Sequence, residues 1–571
     1  MSKITDRDLA PGGGSAEGRL ARLWDTPSLA RVVPHLAPET LHKLIRHRGL
    51  EACGELVTSA TSAQLTSLLD IDLWRSARPG RDGQFDVDRF GEWIEVLVDT
   101  GDSVAARTVA ALDTNVVVAG LSRYVRVFDP GIFEPIAQSD DEAIDRHEAM
   151  REGDVMAVDA PTHASSGLRH EGEVGGYIVR ARRAAAWDAI VTLLIALNAE
   201  HSGYFHAVMR GCQRLSNSMP EIDGLDNLLP APQQHLNDVA IERERRRSLQ
   251  GYATSADARS FLQMARQPIH KRSASATGAT AAHPIVAAYF RATEEAEHES
   301  SMTSARSSER LPASFDATNR SESIAAVIDL LTDAGMMPER PRALLAAADT
   351  DPQTARLTRL RQLMEYARDS DDTAYFKRTR ELAFLANTLL AGCSVQSRAF
   401  TPQEASDAAA SICNLGLEHW PARWPSFAPE SFLLDHALVT AFEVGWSVLH
   451  HEVSLFVVQQ LISTLHDLHS VDRDVQRGLT ALRRSLVKHR KSGTPWLARD
   501  AADVLAMLDV TACTSVLGLL DECPVLPAAL TAILEGRTTT VSPTAFDFIS
   551  TATQIADIHS FMRKLPDILA R

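Results

Sequence analysis

The chain has no long hydrophobic run, no paired cysteines and few aromatics. Its longest strongly apolar stretch, Ala189 to Leu197, is nine residues, against about 20 needed for a helix to span a bilayer. No membrane insertion is therefore expected. The six cysteines, at 53, 212, 393, 413, 513 and 523, form no Cys-x-x-Cys pair. Most have apolar neighbours, as reduced, buried thiols of a cytoplasmic protein do. Met1 to Gly18 carries both charge signs and a Gly12-Gly13-Gly14 run but no apolar centre. It reads as a flexible tail and not as a secretory signal, and the cytoplasm is the expected location. No Gly-Lys-Ser/Thr phosphate loop, G-x-G-x-x-G, H-E-x-x-H or G-x-S-x-G occurs, which removes the common sequence arguments for an enzyme.

Lysine is also scarce: only Lys3, Lys43, Lys271, Lys377, Lys488, Lys491 and Lys564 occur, so the basic residues are nearly all arginine. With 58 Lys+Arg against 74 Asp+Glu, the net charge is −16. Such a surface repels phosphate backbones on average and favours basic partners or cations. Two basic stretches, Arg243–Arg247 and Arg483–Lys491, are not flanked by the aromatics that stack on single strands. They read as solvated helix faces, and no nucleic acid partner is expected.

What is present is helix punctuation. The 571 residues, 45% hydrophobic and 23% charged, have the balance of a globular protein. Pro38 opens a helix that Gly49 stops. Thr61-Ser62-Ala63-Gln64 has capping-box form ahead of Leu65, Leu68 and Leu69. Phe90, Trp93 and Leu97 recur at helical spacing, and Asp113 is placed to cap the next helix. Thr401-Pro402-Gln403-Glu404 is another well-formed start. Ala405, Ala408, Ala409, Ile412 and Cys413 make a small-residue face, and residues 430–469 read as one long helix or two broken near Gly445. The expected class is all-α, with a helical-repeat-like array over 19–149 and a C-terminal helical domain over 321–571. Between them, 150–266 holds apolar helices and a small β-hairpin formed by Val155–Val158 and Gly175–Val179. The polar stretch 267–320 reads as a linker or mobile loop. A faint echo joins Val109–Leu121 to Leu505–Leu520, each an apolar helix ending at Leu-Asp.

Several stretches carry a family resemblance. They include Leu69-Asp70-Ile71-Asp72-Leu73-Trp74, Gly251-Tyr252 with Asp257-Ala258-Arg259, and Glu381–Asn387. Further on come Gly392-Cys393-Ser394, Cys413–Glu418, Phe442-Glu443-Val444-Gly445-Trp446, and Pro495-Trp496 ahead of Asp521-Glu522-Cys523-Pro524. In these the chain resembles a bacterial family designated domain of unknown function 6178. That resemblance implies architecture and no catalytic residues. The N-terminal third is also loosely similar to the helical repeat domain of bacterial magnesium transporters.

Candidate functional residues are few. His466 and His469, at i and i+3, share a helix face and could hold an ion with a third ligand from elsewhere; no cysteine–histidine cluster supports them, so no metal or cofactor is expected. Glu443 and His450 are about 10.5 Å apart along a helix, too far for one coordination shell. Asp70, Asp72 and Trp74 form an interaction candidate, with two carboxylates able to attract a cation or basic peptide. The competing reading has one aspartate capping the next helix while Leu73 and Trp74 pack inward. Glu443 and Trp446 are a second interaction candidate. Cys413 beside Asn414 reads as a structural thiol, and Glu200-His201 as a helix end. The leading expectation is a protein-interaction scaffold with an unidentified protein partner. The alternative is an enzyme or divalent-cation-responsive protein with an acidic or histidine site between the helical halves.

Overall fold

Side-chain caps begin many of the helices. Gln64 N donates to Thr61 Oγ1 (3.2 Å) and Thr61 N to Gln64 Oε1 (2.9 Å), the reciprocal box expected there. Asp113 accepts from Asn115 N (2.9 Å). Thr401 accepts from Glu404 N (3.2 Å), and its own N–H donates to Glu404 Oε2 (2.9 Å). Each of these satisfies donors that a helix N-terminus leaves open.

The computed structural model describes residues 29–76, 80–128, 170–216, 231–267, 284–294, 331, 357–423, 430–467, 480, 484, 510–528, 530 and 545–569. Met1–Gly18, Val155–Val158, most of 267–320, His469, Lys488–Lys491 and Leu505–Asp509 lie outside them, and of His466 only the backbone is described. The fold is mostly helical with small antiparallel sheets. It divides into two units. Unit 1 comprises Met1–Arg75, Phe85–Arg243 and Ser314–Met337; unit 2 comprises Ser76–Gln84, Glu244–Ala313 and Pro338–Arg571.

Unit 1 contains α1 (Leu29–Val32), α2 (Pro38–Arg48), α3 (Gly54–Ser59), α4 (Ser62–Asp72), α5 (Val87–Asp99), α6 (Asp102–Ala110) and α7 (Thr114–Tyr124). After α7 come β1 (Val125–Phe128), β2 (Glu171–Val174), β3 (Tyr177–Ala181), α8 (Trp187–Glu200) and α9 (Ser202–Ser216). Helix α10 (Ala231–Leu249) belongs to this unit through Arg243. Leu44, Trp93, Leu121, Leu194 and Phe205 are buried in one core. Helix α8 packs on α5 and α6, and α9 on α7. The sheet has the order β1-β3-β2, with Val127 and Gly172 both opposite Val179. Its hairpin differs from the expected one. Gly175 and Gly176 are not strand residues; at φ 57° and 83° they form the two-residue turn. Two successive positive φ values are what a tight hairpin needs and glycine supplies cheaply.

Unit 2 contains α11 (Ser255–Ala265), a helical segment at 284–294, α12 (Thr358–Ser370), α13 (Asp372–Gly392), α14 (Pro402–Arg423), α15 (Phe432–Asp435) and α16 (Leu438–Val448). A π-helical turn, Leu449–Ser454, runs into α17 (Leu455–Asp467). Then come α18 (Val510–Leu519), β4 (Val525–Pro527), β5 (Phe546–Phe548) and α19 (Ala552–Leu569). The small face of α14 is buried as its composition suggests: Ala405, Ala408, Ala409, Ile412 and Cys413 are all in the core. A Cβ added at Gly416 would lie 1.8 Å from the Ala441 carbonyl oxygen, and one at Gly445 would lie 1.9 Å from that of Ile412. The α14–α16 crossing is therefore a backbone-to-backbone approach that only glycine permits. Gly445 is not where the helix breaks. The break falls at His436-Ala437, and the Glu381 carboxylate caps α16 by accepting from Leu438 N (2.6 Å). Glu381 is itself paired with buried Arg378, which donates to the Leu433 carbonyl (2.9 Å). No helix of the described residues is long and apolar enough to cross a membrane.

Candidate functional site

Helix α4 runs through Asp72, and its last turn creates the polar centre of unit 1. The Asp72 side chain is 4% exposed. It accepts from Arg89 Nε (2.6 Å) and Trp93 Nε1 (2.8 Å), which stand one helical turn apart on α5. His42 Nε2 of α2 lies 3.1 Å away on the other carboxylate oxygen. Burial pushes the Asp72 carboxyl up, but these three partners and the Arg89 charge outweigh it and hold the group well below the usual carboxylate range. Arg89 also pairs with Glu92 (2.6 Å). Asp86 fixes the start of α5 by accepting from Arg89 N (3.0 Å).

Arg89 thereby forms part of the wall of an open cleft of about 820 Å³. Five carboxylates line the cleft: Glu51, Glu92, Glu95, Asp99 and Asp188. Two arginines, Arg48 and Arg89, oppose them, and Trp187 adds an aromatic surface. Glu92, Glu95 and Asp99 follow one another at helical spacing along α5. On the opposite wall, α8 is preceded by Ala186 in the left-handed conformation (φ 56°), a costly backbone state for a residue other than glycine. Among the described residues, no histidine or cysteine side chain lines this cleft. What the arrangement does chemically is attract positive charge.

The candidates read from the sequence separate into two groups. Asp70, Asp72 and Trp74 come together in unit 1. Asp70 and Asp72 are buried, so they do not form an exposed acidic turn. The Asp70 carbonyl accepts from Arg243 Nε (2.6 Å), and the Arg243 guanidinium lies 4.9 Å from the centre of the Trp74 ring. Arg243 is thus a packed residue of unit 1, not part of a solvated basic face. Glu443 and Trp446 both lie on α16 in unit 2. Trp446 is wholly buried and donates to the Leu262 carbonyl (3.0 Å), while Glu443 is half-buried. Cys413 is buried, and that burial pushes its thiol well above the ordinary range. Glu200 accepts from Ser103 at the end of α8. His42 and Arg89 were not singled out from the sequence, and Trp93 was read only as part of the apolar face of α5. A signal for Trp93 existed, since a buried indole N–H needs an acceptor.

Unit 2 has its own buried acidic centre, a junction between two segments. Val395 and Arg398 bridge a turn whose central residues, Gln396 and Ser397, are both left-handed (φ 48° and 61°). The Gln396 N–H donates to Asp521, and the Asp521 carboxylate also accepts from Glu522 N (2.8 Å). Glu522 in turn accepts from Ser394 N (3.1 Å) and Ser394 Oγ (2.8 Å). Burial and the Glu522 charge raise the Asp521 carboxyl and the backbone N–H groups of Glu522, Gln396 and Ser397 lower it, which together leave it raised to about 6.

Residues 11–219, which include the Asp72 centre and the cleft, match a family of unknown function (DUF6178). The motifs C-terminal to residue 219 lie outside that match. The likeness to magnesium transporters finds no support. No curated protein and no solved structure matches the chain.

Proposed function

We propose that the protein is a cytoplasmic interaction protein whose unit 1 cleft receives a basic, arginine- or lysine-bearing segment of a protein partner. The observation behind this reading is the cleft lining of five carboxylates against two arginines, with Trp187 among them. Glu92, Glu95 and Asp99 are spread over about 10 Å of helix. That spacing suits several cationic side chains on an extended chain better than a single ion. The half-buried Trp187 indole in the cleft lining adds a seat for one guanidinium. The net charge of −16 supports the same sign of partner by steering basic segments toward the protein.

The test is titration of a fluorescent Arg/Lys-rich peptide, and an acidic peptide of equal length, into the protein. The basic peptide binds, and its affinity falls as salt rises. The double variant Glu92→Lys, Glu95→Lys loses at least about tenfold in affinity, the scale of one or two charge pairs. Equal binding by wild type and the double variant would rule the reading out.

A further inference from the structure

The π-helical turn between α16 and α17 holds a histidine unlike its neighbours. His419, His451 and His559 of unit 2 each place a ring nitrogen within 3.0 Å of a backbone carbonyl oxygen, those of Leu415, Ser447 and Glu452. His450 is 3% exposed, and among the described residues neither of its ring nitrogens has a hydrogen-bond partner. Buried polar groups are nearly always paired, so an exception asks for a cause. π-turns are rare and concentrate at functional sites.

A second unmatched group is linked to it through Trp446 and Leu262. The His450 ring packs edge-to-face on Trp446 with centroids 4.7 Å apart. The Trp446 indole N–H donates to the Leu262 carbonyl (3.0 Å), and the same carbonyl accepts from Arg266 N (3.1 Å). Arg266 caps the C-terminus of α11 and is half-buried. Its Nε is buried and also has no hydrogen-bond partner among the described residues. The acidic groups of the junction already have partners: Asp521 is held by Gln396 and Glu522 N–H groups, and Glu522 by Ser394.

The two groups select one kind of ligand. Arginine is always charged. Burial, with the charges of Arg266 and His451, holds the His450 imidazole neutral, so it offers one N–H donor and one acceptor nitrogen. A cation is repelled by Arg266, whereas an oxygen anion accepts from both donors. We infer that His450 and Arg266 form a binding site for a small oxyanion, a carboxylate or phosphate group, held between the imidazole N–H and the Arg266 Nε–H. Half-exposed Arg266 marks the side from which the anion enters. This site is independent of the unit 1 cleft.

The test uses the full chain in a buffer free of carboxylate and phosphate. Melting temperature is followed during titration with inorganic phosphate, with acetate, and with chloride at matched ionic strength. Phosphate or acetate gives a saturable rise and chloride does not, because a ligand that binds only the folded state stabilises it. A response to phosphate alone identifies a phosphate group, and one to acetate alone a carboxylate. Arg266→Met and His450→Phe each weaken the apparent dissociation constant by at least about tenfold, the loss of one charge-assisted hydrogen bond. If His450→Phe fails to fold, half-exposed Arg266 decides the matter alone. A rise shared with chloride, no saturable rise, or an unchanged response in Arg266→Met overturns the site.

Discussion

Asp72 in unit 1 and Asp521 in unit 2 are equally buried, each 7% exposed as a whole residue, yet their carboxyls are displaced in opposite directions. Both lose water, and both accept several hydrogen bonds. The difference lies in charge. Asp72 faces the Arg89 guanidinium, along with His42 and Trp93. Asp521 has backbone N–H donors, and its neighbour Glu522 is a like charge. Burial alone therefore does not set the ionisation of a carboxyl; a fixed positive partner does. Unit 1 uses its buried charge as a fastener between helices α2, α4 and α5. Unit 2 joins its helices by the glycine crossing of α14 and α16, and its junction carboxylate stays poised near neutral pH.

The largest effect is expected where the comparison is broken at Asp72. Asp72→Ala leaves Arg89, His42 and the Trp93 N–H without their acceptor. The expected cost is about 3–5 kcal/mol, the scale for removing one member of a buried pair. The urea midpoint should fall without a change in slope. A loss under about 1 kcal/mol would mean that Arg89 finds another partner.

The next effect is in pH dependence. The folded Asp521 carboxyl is raised from its ordinary value of 3.8 to about 6. A raised folded value contributes stability that is fully present below 3.8 and lost as pH rises through about 6. The Asp72 contribution has the other sign: it is present above 3.8 and lost as pH falls further. Wild type should therefore gain about 1 kcal/mol over Asp521→Asn on going from pH 7 to pH 5. Comparing the two proteins cancels the opposing term from His450, whose imidazole is depressed by burial. Parallel stability curves for the two proteins would show that Asp521 is not raised.

The smallest effect sharpens the account of the junction. Ser397 is left-handed at φ 61°, a cost that glycine does not carry. Ser397→Gly keeps the backbone N–H and should stabilise the protein by about 0.5 kcal/mol, after the added freedom of the unfolded chain is subtracted. A small rise in melting temperature with an unchanged Asp521 titration is the expected result. A fall in melting temperature would show that the serine side chain holds the turn.

The helical class, the capped starts at Thr61, Asp113 and Thr401, and the burial of the α14 small face are all legible in the residue order. Those features are local: a cap joins residues three apart, and a helix face repeats within two turns. Part of the cleft was also open to reading, since Glu92, Glu95 and Asp99 are a row of acids at helical spacing. Asp70, Asp72 and Trp74 stood out by residue type, but their partners did not. That Asp72 meets Arg89 and His42, 17 and 30 residues away, follows from how the helices pack. The Asp521 junction joins segments 125 residues apart, and the α14–α16 approach depends on two glycines facing each other's helix. Desolvation and long-range charge depend on what the folded chain places nearby. Local pattern carries no record of it, so the ionisation of two equally buried aspartates was settled by packing.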